Sequence, residues 1–220
     1  MGNHARSPAG VIAQVPDGKS LIHAASMLLS YTTSIYALHH LGRLRKGETV
    51  LIQSTSGGLG IAAIYIAQYL SADILATAGA EKNREMLVEE FGLSPTHVFG
   101  SRDAAAVKRV MQATKPNGID VILGSALGGD SLQEQWTCIA PQVRFINVSR
   151  FNVLELSILA LDVFKRNATF SSFDIDLLYR LDKPESVSVI EDLRRMGAEP
   201  EVIRCSITDE AAVKEVVNPI

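Results

Sequence analysis

Short runs of Val, Ile and Leu alternate along this chain with segments of helical spacing, and that alternation constrains the fold more than any other feature. The runs are "TVLIQS" at 49–54, "ADILATAG" at 72–79, "HVFGS" at 97–101, "IDVILGS" at 119–125 and "VRFINVS" at 143–149. Continuous apolar runs of this length read as strands buried on both faces, which means a parallel sheet. Between them lie "GLGIAAIYIAQYL" at 58–70, "EKNREMLVEEFG" at 81–92, "AAAVKRVMQATK" at 104–115 and "SLQEQWTCIA" at 131–140, all with helical periodicity. Gly92 suits a helix C-terminus, and Pro116, Asn117 and Gly118 suit a turn before the next strand. Strand and helix in strict alternation give right-handed crossovers. The expected fold class is therefore α/β, a Rossmann-type doubly wound parallel sheet with helices on both faces.

The flanks differ in character. Residues 20–42 read as one long amphipathic helix that could break near "SYTTS". "ATFSSFD" at 168–174 reads as a sixth strand, and "PESVSVIEDLRRMGA" as a helix with Pro184 in its first turn and Gly197 at its end. A strand candidate, "EVIRCSI", and a helical "DEAAVKEVV" close the chain. The expected division is a segment and helix over 1–45 and a dinucleotide-binding domain with C-terminal helices over 46–220.

A chain of 220 residues that is 47% hydrophobic can bury a sizeable core. With 21 basic and 24 acidic residues, a net charge of -3 offers no field for nucleic acid or anionic lipid. Cys138 and Cys205 lack partners at metal-ligand spacing, so neither a zinc site nor a disulfide framework is expected. There is no secretory signal or membrane-length apolar run, which points to a cytoplasmic setting. The Asn-X-Ser/Thr triplets at Asn147 and Asn167 then carry no glycosylation.

The chemistry-bearing motif is the loop Ser54, Thr55, Ser56, Gly57, Gly58, Leu59, Gly60, between the first strand and the first helix of a βαβ unit. Unpaired N–H groups and the positive dipole end at a helix N-terminus suit a phosphate when no side chain blocks approach. Gly57 and Gly58 would allow the turn and close backbone approach, and Gly60 tight packing of helix on strand. The spacing is G-G-x-G, with Thr55 or Ser56 where other dinucleotide folds carry their first glycine. A glycine turn without ligand is the bland alternative.

About twenty residues on, enzymes that bind NAD place a carboxylate at the end of the second strand. Here that place reads Ala78, Gly79, Ala80, followed by Glu81, Lys82 and Arg84. Room plus positive charge favours a 2′-phosphate, hence NADPH, although a solvated helix start explains the three charges equally simply. Asp103 could be a proton donor, or only the N-cap of the helix after it. Ser125 and Ala126 end the fourth strand at the carboxyl edge and could contact the nicotinamide half, or form a plain turn. His39 and His40 have no Ser or Cys nucleophile beside them and read as surface residues.

The stretch "TTSIYALHHLGRLRKGETVLIQSTSGGLGIAAIYIAQYLSADILATAGAEKNREML" resembles the cofactor-binding half of medium-chain reductases. It is most similar to the enoyl reductase domains of highly reducing polyketide synthases and of animal fatty acid synthase. The likeness continues in order through "VFGSRD", "NGIDVILGSALGGDSLQEQWTCIAPQVRFINVSR" and "NATFSSFDID". The resemblance implies hydride transfer from NADPH to an α,β-unsaturated thioester on an acyl carrier protein, within a synthase of several domains. By position it assigns Thr33 to the cofactor and Gly57, Gly58 and Gly60 to the pyrophosphate. Lys82 becomes a proton donor or phosphate contact, and Asp103 a similar candidate.

The chain also departs from that pattern. Gly124, Ser125 and Ala126 stand where the family has Asn-Ser-Leu. Pro141, Gln142 and Val143 replace Gly-Gly before the fifth strand, and Ser149 and Arg150 replace Gly-Lys after it; an Arg keeps the charge but not the geometry of a Lys. Only the exit of a substrate domain, "ARSPAGVIAQVPDGKS", precedes the core. The expectation is a cofactor-binding half, inactive alone. The alternatives are a degenerate scaffold inside a synthase, or a quinone or enone reductase fragment. An exposed strand edge would suit a homodimer.

Overall fold

The computed structural model describes residues 21–100, 118–124, 132–133, 136, 139–149, 158–181 and 184–197. Its strands are β1 (Thr49–Ile52), β2 (Asp73–Ala78), β3 (Val98–Gly100), β4 (Val121–Gly124), β5 (Arg144–Asn147) and β6 (Thr169–Ser172). All pairings are parallel. The sheet order is β3-β2-β1-β4-β5-β6, the doubly wound order, with its reversal between β1 and β4. The five apolar runs and "ATFSSFD" each form a strand, while the strand candidate "EVIRCSI", the helical "DEAAVKEVV" and the helix expected over 104–115 lie outside the described residues.

Period-two alternation sends each strand's side chains to two cores. Val50, Ile52, Val121, Leu123 and Ile146 pack with helix α1 (Leu21–Ile35) and helix α2 (Gly58–Tyr69). Leu51, Leu75, Ile122 and Phe145 pack on the opposite side with Trp136. Helix α2 lies between α1 and the sheet, so Ala62, Ala63, Ile64, Ile66 and Ala67 are all buried and the helix is apolar nearly all round. Trp136 is fully buried and donates its indole N–H to Ala160 O at 2.8 Å, which removes the penalty for burying that polar group.

Helix α3 (Glu81–Glu89) follows β2, with Gly92 beyond its end at φ +66. The short helix α4 (Ile175–Arg180) is capped by Asp174, whose carboxylate accepts from Asp176 N at 3.0 Å. Helix α5 (Pro184–Gly197) starts and ends at the residues that the Pro and Gly signals indicate.

The helix expected over 20–42, which could break near "SYTTS", does change geometry just after that stretch. It changes at Ile35 into a π-helical turn over Tyr36–Leu41. The wider turn sets His40 2.9 Å from Asp192 of α5, and Arg195 holds the other carboxylate oxygen at 2.9 Å. Asp192 is 5% exposed, so the buried charge is paired from two sides. His40, read from sequence as a surface residue, is half-buried and belongs to this latch, whereas His39 is exposed.

At the amino edge polar ties close the seam between β1 and β4. Thr49 N donates to Asp120 Oδ2 at 2.8 Å and Asp120 N to Thr49 O at 2.9 Å. Glu48 and Arg144 form an ion pair at 2.8 Å beside them. The carboxyl edge carries the glycine loop instead.

Candidate functional site

The loop leaves β1 through Gln53, whose N–H donates to Leu123 O at 3.1 Å. The residue that turns the chain is Ser54, at φ +53. Gly57 was expected to supply this freedom, but its φ of -88 is open to any residue. Thr55 is fully buried and ties the loop to the end of β2: its N–H and its Oγ1 both donate to Thr77 O, at 3.0 and 2.8 Å. Ser54 N donates to Thr77 Oγ1 at 3.2 Å. The loop is thus held by the neighbouring strand before the helix begins.

Helix α2 starts after Gly57 without any side-chain cap, and both Gly57 and Gly58 are exposed. Ser56 and Leu59 are half-buried beside them. Gly60 is buried, and a Cβ there would stand 2.4 Å from Thr55 Cα and 2.8 Å from Ser54 O. That contact needs a glycine. Bare N–H groups at a helix N-terminus, open to solvent and seated at the switch point of the sheet, fit a dinucleotide phosphate.

One side of α1 overlies this turn. Ser34 Oγ donates to Ser30 O at 2.8 Å and to Leu59 O at 3.3 Å, linking the two helices. Ser30 Oγ stands 3.3 Å from where a Cβ on Gly58 would be. Thr33 lies on the same helix with its hydroxyl donated to Leu29 O at 2.7 Å. Burial pushes the Tyr179 hydroxyl above its ordinary value, and the Thr32 hydroxyl beside it works the other way.

After β2, Gly79 and Ala80 are exposed. Arg84 donates to Ala78 O at 3.4 Å and Gly79 O at 3.3 Å and pairs with Glu81. Lys82 is exposed and makes no ion pair among the described residues. Asp103, Ser125, Ala126 and Arg150 lie outside the described residues, as do Cys138 and Cys205. The described residues bring the glycine loop and the end of β2 together and carry Thr33 on the helix above.

No family model matches the chain. It is 39% identical over 188 residues to the highly reducing polyketide synthase fogA of Aspergillus ruber, covering 86% of this chain and 8% of that protein. It superposes on the nucleotide-binding subdomain of the enoylreductase domain of PpsC from Mycobacterium tuberculosis with a TM-score of 0.70 and 32% identity, covering 79% of this chain and 94% of that one. The chain belongs to the enoyl reductases of polyketide synthases. CurK enoyl reductase is a longer neighbour, at TM-score 0.76 and 26% identity, with 89% of this chain and 57% of that one covered. The chain therefore spans under a tenth of the fogA synthase and 57% of the CurK structure.

Two features of the chain stand apart from the glycine loop. Gly124, at the end of β4, would place a Cβ 2.6 Å from the ring of Phe145, so that ring occupies the room a side chain would take. Among the described residues no three His, Cys, Asp or Glu side chains gather to hold a metal, and no helix is long and apolar enough to cross a membrane. Sequence reading missed Ser30, Ser34, Thr77 and Asn147. Thr77 and Asn147 did carry a signal, each being a polar residue inside an apolar strand run.

Proposed function

We propose that this chain is the NADPH-binding portion of an enoyl reductase that reduces α,β-unsaturated acyl thioesters on an acyl carrier protein, as one part of a cytoplasmic multidomain synthase and inactive alone. The observation that carries the proposal is the uncapped, exposed Gly57-Gly58 turn, held against β2 by Thr55 and closed beneath by Gly60. A nicotinamide bound there would supply a hydride to the enoyl β-carbon. The chain's own share would be binding and orientation. The N–H groups around Gly57, Gly58 and Leu59 receive the pyrophosphate, with Ser56 beside them. Lys82 would meet the 2′-phosphate and Thr33 would approach from α1; Ser125 and Ala126, which lie outside the described residues, are the candidates for the nicotinamide half. Lys82 and Asp103 are the candidates for delivering the proton that completes reduction. Residues 1–45 would join a substrate domain to the nucleotide domain of 46–220. The edge of β6, which among the described residues pairs only with β5, would suit a homodimer.

Calorimetric titration with NADPH and NADH tests the proposal. Micromolar NADPH affinity, lost in Gly58→Asp, is expected. A second reading, a degenerate scaffold without cofactor, is favoured by the Gly124–Phe145 contact, which leaves the end of β4 without a polar side chain. Absence of heat and of thermal protection with either nucleotide would establish the scaffold and sink the first reading.

A further inference from the structure

Asn147, the last residue of β5, is 1% exposed. A carboxamide buried so deeply is normally hydrogen-bonded, and this one is. Its Oδ1 accepts from Ser149 N at 3.3 Å while its Nδ2 donates to Ser149 O at 3.2 Å. The side chain thereby pairs with both polar groups of one residue, as an adjacent strand would. Nδ2 also donates to Ser172 Oγ at 3.2 Å, at the end of β6. In register Asn147 stands between Gly124 of β4 and Ser172 of β6, and Val148 N donates to Gly124 O at 2.9 Å. The chain leaving β5 is thus guided past the end of β4 in a fixed direction.

We infer that Asn147 is a positioning residue whose carboxamide fixes the exit from β5 and thereby the affinity for the nicotinamide half of the dinucleotide. The inference rests on the proposal that this edge binds NADPH. In a doubly wound sheet the two mononucleotide halves of the ligand lie against the two halves of the sheet, on either side of the switch. The glycine loop and the end of β2 belong to one half, and β4, β5 and Asn147 to the other. An Asp at 147 could accept from Ser149 N but could donate to neither Ser149 O nor Ser172, and it would bury a charge. The Asn-Val-Ser triplet at this position is consequently a buried structural amide.

The test compares two probes on the 220-residue chain: NADPH, and 2′,5′-ADP, which carries the adenosine half alone. Asn147→Ala is expected to weaken NADPH about tenfold and leave 2′,5′-ADP within about twofold. An equal loss for both probes, or none for either, would overturn the inference while leaving cofactor binding intact. If that variant does not fold, Ser172→Ala removes the hydrogen bond from Asn147 Nδ2 to β6 and leaves the pairing with Ser149 in place. It should weaken NADPH about threefold without affecting 2′,5′-ADP, and unchanged NADPH affinity would overturn the inference. A wild-type chain that binds neither nucleotide would remove the underlying reading, and this inference with it.

Discussion

A Cβ at position 60 would stand 2.4 Å from the Cα of Thr55, so the first turn of α2 rests directly on the backbone of the loop before it. Backbone cannot move aside as a side chain can. Gly60→Ala should therefore destabilise the chain by about 2 to 3 kcal/mol in urea unfolding, from overpacking. Gly57→Ala, whose nearest neighbour is Ser54 O at 3.8 Å, should cost under about 1 kcal/mol. Equal losses for the two variants would contradict this account of the loop.

The Gly124–Phe145 contact predicts a compensating pair. Gly124→Ala alone forces the new methyl to 2.6 Å from a fully buried ring and should cost about 1 to 3 kcal/mol. In the Phe145→Leu background the same change should cost much less, giving a coupling of about 1 kcal/mol or more in a double-mutant cycle. Strict additivity would mean that the ring moves away without strain.

Lys82 is exposed at the start of α3, while Arg84 beside it is engaged by Glu81 and by two strand-end carbonyls. Among the described residues the lysine makes no ion pair, and it is the residue proposed to meet a 2′-phosphate. Lys82→Ala should weaken NADPH about tenfold and NADH under about twofold by calorimetry. A matching loss for both would remove Lys82 from phosphate recognition.

Tyr179 gives a pH dependence of definite sign. Burial raises its hydroxyl above the ordinary value, so the folded chain holds that proton more tightly than the unfolded one. Its contribution is fully present below about pH 10 and is lost as pH rises beyond that, when the unfolded state ionises first. Tyr179→Phe should thus show a shallower fall in stability above about pH 10, measured by denaturant unfolding at stepped pH. A fall identical to that of the wild type would exclude ionisation of this hydroxyl as a cause.

The sheet was legible in the sequence because strands buried on both faces write themselves as unbroken apolar runs; "TVLIQS" and "IDVILGS" could hardly sit elsewhere. The glycine spacing similarly located the turn at the head of α2. What sequence could not show was which residue turns the chain. Ser54 adopts φ +53 because Thr77 holds it through a side-chain hydrogen bond 23 residues away. The same limit hid His40, whose partner Asp192 lies 152 residues on and meets it only because a π-helical turn rotates the end of α1. Asn147 looked like a sequence triplet until its neighbours in space were known.

The amino-edge tie between Thr49 and Asp120 joins residues 71 apart in the chain. Closing so long a loop is entropically expensive and gains nothing until both strands exist, whereas β1, β2 and β3 can assemble through nearer neighbours. The seam between β1 and β4 should accordingly zip late in folding, with small φ-values at Thr49 and Asp120. On that order of events the glycine loop is shaped first, and the crevice it faces comes into being only afterwards.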